Sequence, residues 1–274
     1  LRNNPLDAKS LINLSILGYW FSFGVYTSFW YFGLGERSTR TKVLIVGLAL
    51  QLLCLTCRGM AIEYFPLTNK FESFYAFSTA TFLVLFWTNQ VESLLYRLTL
   101  FGVGYGFMVA AAFWPKGLSY PPPLMLTIWY VLHVPLSFMC YAFWTSSLAA
   151  GVAYFLSSAE SPPFLGRDVG SGPTTQRQKM LELIDNGFMY GLLGFSVSML
   201  FGGLWGYVAW GDYFLWDAKV VWSVILWLFY SACIHVDHWP AIKGYKPHLA
   251  VAGFLIMFFT YVGTSFFISS SHRF

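Results

Sequence analysis

The sequence is built from apolar runs, each close to the length that carries a helix across a bilayer. They lie near residues 11–33, 42–63, 74–89, 97–114, 133–157, 187–208, 218–236 and 248–268. A spanning helix needs about 20 predominantly apolar residues, and inside the hydrocarbon every backbone amide must find its partner within the chain. The pattern predicts an all-α polytopic integral membrane protein with about eight transmembrane helices. Composition agrees, with 57% of residues hydrophobic and only 10% charged, against roughly 25% charged in a soluble domain. Residues 1–10 are polar and the first apolar run is a full span, so the start does not read as a cleavable signal. No internal repeat or second folded segment is visible. The expectation is a single membrane domain over residues 1–274, with 158–173 as its flexible tract. The net charge of +4 is spread over loops and forms no basic tract. That speaks against a nucleic-acid partner and leaves membrane lipid as the surroundings.

Positive charge sorts the connectors. Arg37, Arg40 and Lys42 follow the first run, and Arg97 ends the third connection. Arg167, Arg177 and Lys179 lie in the loop 158–184, and Lys243 and Lys246 follow the seventh run. Placing these four connectors in the cytoplasm satisfies the positive-inside rule. Residues 65–73, 114–132, 207–217 and the tail from 269 then fall on the outer side, as do both termini.

One of the outer segments is unusual. Residues 203–222 read GLWGYVAWGDYFLWDAKVVW, with Trp205, Trp210, Trp216 and Trp222 among glycines, tyrosines, two aspartates and Lys219. An interfacial aromatic belt accounts for tryptophans at a bilayer surface, each ring buried and each N–H wet. The histidines suggest a second reading. His133 begins the fifth run and His272 lies two residues from the end, so both belong to the outer boundary. Imidazole is a good axial ligand for heme iron. Two imidazoles at one depth would hold the iron from both faces while tryptophans pack on the porphyrin. Asp212, Asp217 and Lys219 would then meet its propionates or orient the ligands. His235 lies eighteen residues past Asp217, about 27 Å along a helix and near the inner side. His238 and His248 read as solvated loop residues.

Competing chemistries are poorly represented. There is no Gly-x-Ser-x-Gly, Walker loop or His-Glu-x-x-His. Intramembrane carboxylates are nearly absent, which argues against a proton-coupled transporter. Cys54 and Cys57 form a CxxC, but attachment of a c-type heme would need His at position 58, where Arg58 stands. The pair reads as small residues on one helix face, with a thiol relay as the alternative.

The order of residues adds a resemblance. AWGDYFLWDAKVVW at 209–222 resembles the tryptophan-rich WWD motif of the heme-handling superfamily, in the form AWGxYWxWDxKExW. FPLTNKFES at 65–73 looks like the FPxSNxxES segment of the CcsA branch, the system II family of cytochrome c biogenesis. His133 behind a Pro-rich loop, WLFYSACIH ending at His235, and GTSFFISSSHRF at the terminus are similar to further elements of that family, in its order. Together they cover about residues 42–274.

The resemblance implies a b-type, non-covalent heme held at the outer face, periplasmic in a bacterium or lumenal in a plastid thylakoid. His133 and His272 would be its axial ligands. Trp205, Trp210, Tyr213, Trp216, Asp217 and Lys219 would surround it, and His235 would match one ligand of a second, intramembrane heme. Heme would then be attached to the CxxCH thiols of apocytochrome c, with a CcsB-type partner, as in a cytochrome c heme lyase. The sequence departs from the pattern where Gln51 matches the other intramembrane histidine. It departs again at Phe214, Ala218 and Val220, which stand where Trp, Pro and an acidic residue are usual. These departures keep an alternative open: a CcsA-like electron-transfer or anchor subunit of a respiratory complex, without lyase activity, among respiratory subunits and multiheme cytochromes. A heme exporter or chaperone like the CcmC proteins is a third reading, lacking the FPLTNKFES element.

Overall fold

A computed structural model describes residues 7–32, 36–157 and 173–267. Among them every predicted span is a helix: α1 (Ala8–Phe32), α2 (Arg37–Ile62), α3 (Lys70–Trp87), α4 (Leu94–Ala112), α5 (Ile128–Leu156), α6 (Pro173–Trp210) and α7 (Ala218–Cys233). The last rod is composite. It runs as α8 (Lys246–Phe258), a π-helical turn (Phe259–Gly263) and α9 (Thr264–Phe267). Five of the described helical stretches are long and apolar enough to cross a membrane: Arg37–Ile62, Leu94–Ala112, Ile128–Leu156, Gln176–Trp210 and Lys243–Phe266. The chain is an all-α, polytopic integral membrane protein. Helix α7 is apolar but shorter.

One boundary differs from expectation. Residues 173–184 were expected in a loop because they are polar, but α6 starts at Pro173 and runs for 38 residues. Proline suits the first helical position, where its missing N–H would have no partner anyway. Met180, Ile184 and Phe188 recur at four-residue spacing and are buried, so this stretch is an amphipathic extension of the span. Residues 158–172 of the expected flexible tract lie outside the described residues.

The chain packs as two compact units. The first is built from residues up to Gln90 together with Gly102–Leu126, the second from Val91–Phe101 together with residues from Thr127 onward.

In the first unit, polar side chains between helices satisfy one another. The Tyr26 hydroxyl donates to Gln51 Oε1 at 3.1 Å, the Gln51 amide donates to Ser78 Oγ at 3.4 Å, and Ser22 Oγ lies 2.8 Å from the Tyr75 hydroxyl. Gln51, at the position where the resemblance expects an imidazole, is thus fully buried in an amide–hydroxyl network. Cys54 and Cys57 are buried free thiols on α2.

The motif FPLTNKFES has a structural explanation in the same unit. Helix α2 ends at Glu63 in the left-handed region, φ 56°. Asn69 then caps α3, its side chain accepting from the Glu72 amide at 2.9 Å. The Glu72 carboxylate turns back, and Oε2 accepts from both the amide (2.7 Å) and the hydroxyl (2.9 Å) of Thr68. This is a variant of the capping box, in which an acid at the third helical position closes the turn before it. The other oxygen, Oε1, accepts from Arg58 Nε at 2.7 Å, with both side chains fully buried. The remaining guanidinium nitrogens donate to the carbonyls of Lys116 (2.9 Å) and Gly117 (3.0 Å). One ion pair therefore joins α2, the turn into α3 and the segment after α4. Burial, and then the charge of Arg58, push the nearby Lys116 ammonium below its usual value.

In the second unit, α5 and α6 lie close along a seam of small residues. A Cβ at Gly187 would strike Ser147, one at Gly191 would strike the Trp144 ring, and one at Gly194 would stand 2.7 Å from Cys140 Sγ. Such seams let membrane helices approach, because lipid supplies no hydrophobic drive for their association. Trp144 fills the centre, stacked at 3.9 Å and 2° on Tyr230 of α7. At another point Lys246 reaches both Asp185 (2.7 Å) and Asp237 (2.6 Å), tying the start of α8 to α6 and to the turn after α7.

Breaking a buried pair strands a charge, at about 3–5 kcal/mol. Arg58→Ala and Glu72→Ala are each expected to lower the stability of the detergent-solubilised protein by about that much. The double variant should cost clearly less than the sum. Additive losses in thermal unfolding would count against the pairing.

Candidate functional site

Three helix ends in the second unit come together, and local sequence sets each of them. Helix α5 begins after Thr127, whose side chain accepts from the Tyr130 amide at 3.2 Å. His133 therefore sits in the second turn. Helix α6 ends at Trp210, and Gly211, at φ +81°, reverses the chain in a conformation that suits glycine. Helix α7 begins after Asp217, whose carboxylate accepts from the Val220 amide at 3.0 Å. The connector between α6 and α7 is thus closed at one end by a glycine and at the other by a capping acid.

Between these ends lies an open cleft lined by side chains of all three helices and of the α6–α7 connector. From α5 it is lined by His133, Ser137 and Tyr141 at successive four-residue steps. From α6 come Phe195, Met199, Gly202, Gly203, Trp205 and Gly206, and from α7 come Lys219, Val220 and Ser223. The connector closes one side with Trp210, Tyr213, Phe214 and Leu215.

Several of the residues singled out in the sequence meet here. Trp205 is buried, its ring nearly parallel to His133 (6.4 Å, 18°) and edge-on to Trp210 at 5.0 Å and Tyr130 at 5.4 Å. Tyr213 stacks on Tyr207 at 4.7 Å. Lys219 brings a cation to a lining that is otherwise mostly apolar. Other expected residues stand apart. Trp216 is 71% exposed and lies against Phe214 at 6.1 Å. Asp217 is engaged as the cap of α7, which gives its carboxylate a backbone partner. His235 is exposed just past the end of α7. Its Nδ1 is 2.7 Å from the Ser231 carbonyl, and with Cys233 and Trp239 it borders a second, apolar cavity. His272 lies outside the described residues.

Sequence reasoning missed Ser137, Ser198 and Gly202. His133 Nδ1 is 2.7 Å from the Ser198 carbonyl, and the Ser198 hydroxyl donates to the His133 carbonyl at 2.8 Å. Ser137 carried a signal, four residues after His133 and hence on its face. Ser198 and Gly202 carried none, since nothing in a sequence says which face of α6 meets α5.

The lining suits a flat apolar ligand that carries a metal and an anionic edge. A histidine nitrogen supplies a donor, indoles supply walls, and a lysine meets negative charge. The donor set is therefore compatible with heme.

Comparison with known proteins gives a consistent picture. A family model described as "Cytochrome C assembly protein" matches residues 46–272. The chain is 27% identical to the cytochrome c biogenesis protein CcsA of Pyropia yezoensis, over 99% of this chain and 98% of that one. It is 25% identical to the protein of the same name from Crocosphaera subtropica, over 99% and 97%. For the one from Prochlorococcus marinus the identity is 25%, over 87% and 85%.

The cap at Asp217 yields a test of that residue's role. Asp217→Ala is expected to cost about 1 kcal/mol in thermal unfolding, and Asp217→Asn, which keeps the accepting oxygen, only a few tenths. Equal losses in the two variants would point to a role for the charge beyond capping.

Proposed function

The chain belongs to the cytochrome c assembly protein family, and on that premise we propose that it holds heme at the outer membrane face and presents it to apocytochrome c. The role in cytochrome c biogenesis comes with the family. The finer reading rests on one observation: the cleft at the joined ends of α5, α6 and α7 gathers His133, Trp205, Trp210 and Lys219.

Each side chain has a task in this reading. His133 ligates the iron through Nε2, because its Nδ1 faces the Ser198 carbonyl. Trp205 and Trp210 shield one side of the ring and keep water from it. Lys219 pairs with a propionate carboxylate. Tyr213 and Trp216, exposed on the connector, face the incoming apocytochrome. His272, by resemblance, would be a second ligand of the iron. Heme, the substrate, supplies vinyl groups across which cysteine S–H bonds add to form thioethers, with no leaving group. The protein's contribution is orientation and ligation. A CcsB-type partner would complete the lyase.

A second reading is favoured by Gln51. Glutamine offers no imidazole to an inner heme, and its amide is held by Tyr26 and Ser78. Val220, where the pattern has an acid, lines the cleft as an apolar residue. A protein that keeps the outer platform without the inner ligand suits an electron-transfer subunit among multiheme cytochromes.

Co-expression separates the two readings. The protein, a CcsB-type partner and a reporter apocytochrome are produced in cells lacking their own assembly system. Covalent heme on the reporter, lost in His133→Ala, is the expected result. A stable, heme-loaded protein that leaves the reporter unmodified would sink the lyase reading and support the second.

A further inference from the structure

We propose that Ser198, backed by Ser137, is the positioning residue that sets the tautomer and direction of His133, and that Gly202 is the clearance its ring requires. The proposal rests on the reading of His133 as a heme ligand and adds three residues to that site.

The proton positions follow from the contacts. His133 Nδ1 is 2.7 Å from the Ser198 carbonyl oxygen, which can only accept. Nδ1 must therefore carry a hydrogen, because a bare nitrogen there would face a second lone pair. The Ser198 hydroxyl has one proton, directed to the His133 carbonyl at 2.8 Å. Ser198 Oγ also lies 2.7 Å from Ser137 Oγ, so the proton in that contact comes from Ser137. The lone-pair side of Ser198 Oγ is then 3.1 Å from His133 Nδ1, a second acceptor for the same N–H. This chain of donors leaves one consistent tautomer, with the ligating lone pair on Nε2.

Burial makes the arrangement firm. Ser198 is fully buried and Ser137 nearly so. In apolar surroundings neither hydroxyl has water as an alternative partner. Pro135, inside α5 and two residues after His133, has no N–H to give to the helix. The ladder bond it omits is the one to the Val131 carbonyl, four residues back, and the bond from Ser198 to the His133 carbonyl ties this turn of α5 to α6. Gly202 lies one turn beyond Ser198 on the same face of α6. A Cβ there would stand 2.8 Å from Cε1 and 2.9 Å from Nδ1 of His133. The ring is rigid and held by its hydrogen bond, so a methyl group would push it out of alignment.

The test uses the full-length protein in detergent, titrated with hemin, and the midpoint potential of the bound heme measured by spectroelectrochemistry. Gly202→Ala is expected to weaken hemin binding by about 10–100-fold, and Ser198→Ala, which keeps the backbone carbonyl and removes only the hydroxyl, by about 10-fold. Loss of the Ser198 hydroxyl, the second acceptor for the Nδ1–H, should also raise the midpoint potential, because a less strongly hydrogen-bonded imidazole is a poorer donor to ferric iron. Ser196→Ala, two residues away, should change neither quantity, since Ser196 Oγ bonds to Trp227 and to the Leu192 carbonyl. If Ser198→Ala or Gly202→Ala does not fold, Ser137→Ala removes only the backing hydroxyl and should move the potential in the same direction. Wild-type affinity and potential in the folded variants would overturn the positioning role of the Ser198 and Ser137 hydroxyls and the clearance role of Gly202. Unchanged hemin affinity in His133→Ala would overturn instead the reading of His133 as ligand.

Discussion

A polar group buried in the protein has no water to fall back on, and the architecture of this chain follows from that constraint. Arg58 and Glu72 show it in its strongest form. The carboxylate receives three donors and the guanidinium meets a carboxylate and two carbonyls, with nothing exposed. Such an arrangement exists only if the end of α2, the turn into α3 and the segment after α4 are all in place. The ion pair is less a source of net stability than a condition on geometry, since desolvating both charges offsets much of their attraction.

The same constraint operates on a smaller scale at the candidate site. Two serines in otherwise apolar helices would be a liability if left unpaired. Paired with each other and with His133, they fix a tautomer. Surrounding them, the α6–α7 connector is stiffened at both ends by Gly211 and Asp217, so its aromatic residues are presented on a defined frame. A ligation site needs both features: a donor whose direction is set, and walls that do not collapse into the space meant for the ligand.

Much of this was legible beforehand. Among the described residues apolar length located every long helix, and residue order pointed to the segment 203–222 and to His133. FPLTNKFES stood out as a motif, although its work as a buried cap and ion pair was not apparent from its letters. The start of α6 was misplaced because a polar surface face reads as loop until Met180, Ile184 and Phe188 are seen to share one side. Asp217 looked like a group for the ligand, and its carboxylate caps α7. In each case the missing information was which face of an element is covered.

By itself the sequence determined the class of the protein, its helices and the residue types available for chemistry. These depend on apolar length, residue type and order, which are local properties. Only the tertiary structure decided that His133 faces the Ser198 carbonyl, that Gly202 must lack a side chain, and that Arg58 answers Glu72. Those facts depend on the rotation of one packed helix against another. That rotation is settled by the fit of small and large side chains along a seam, and no single segment encodes it.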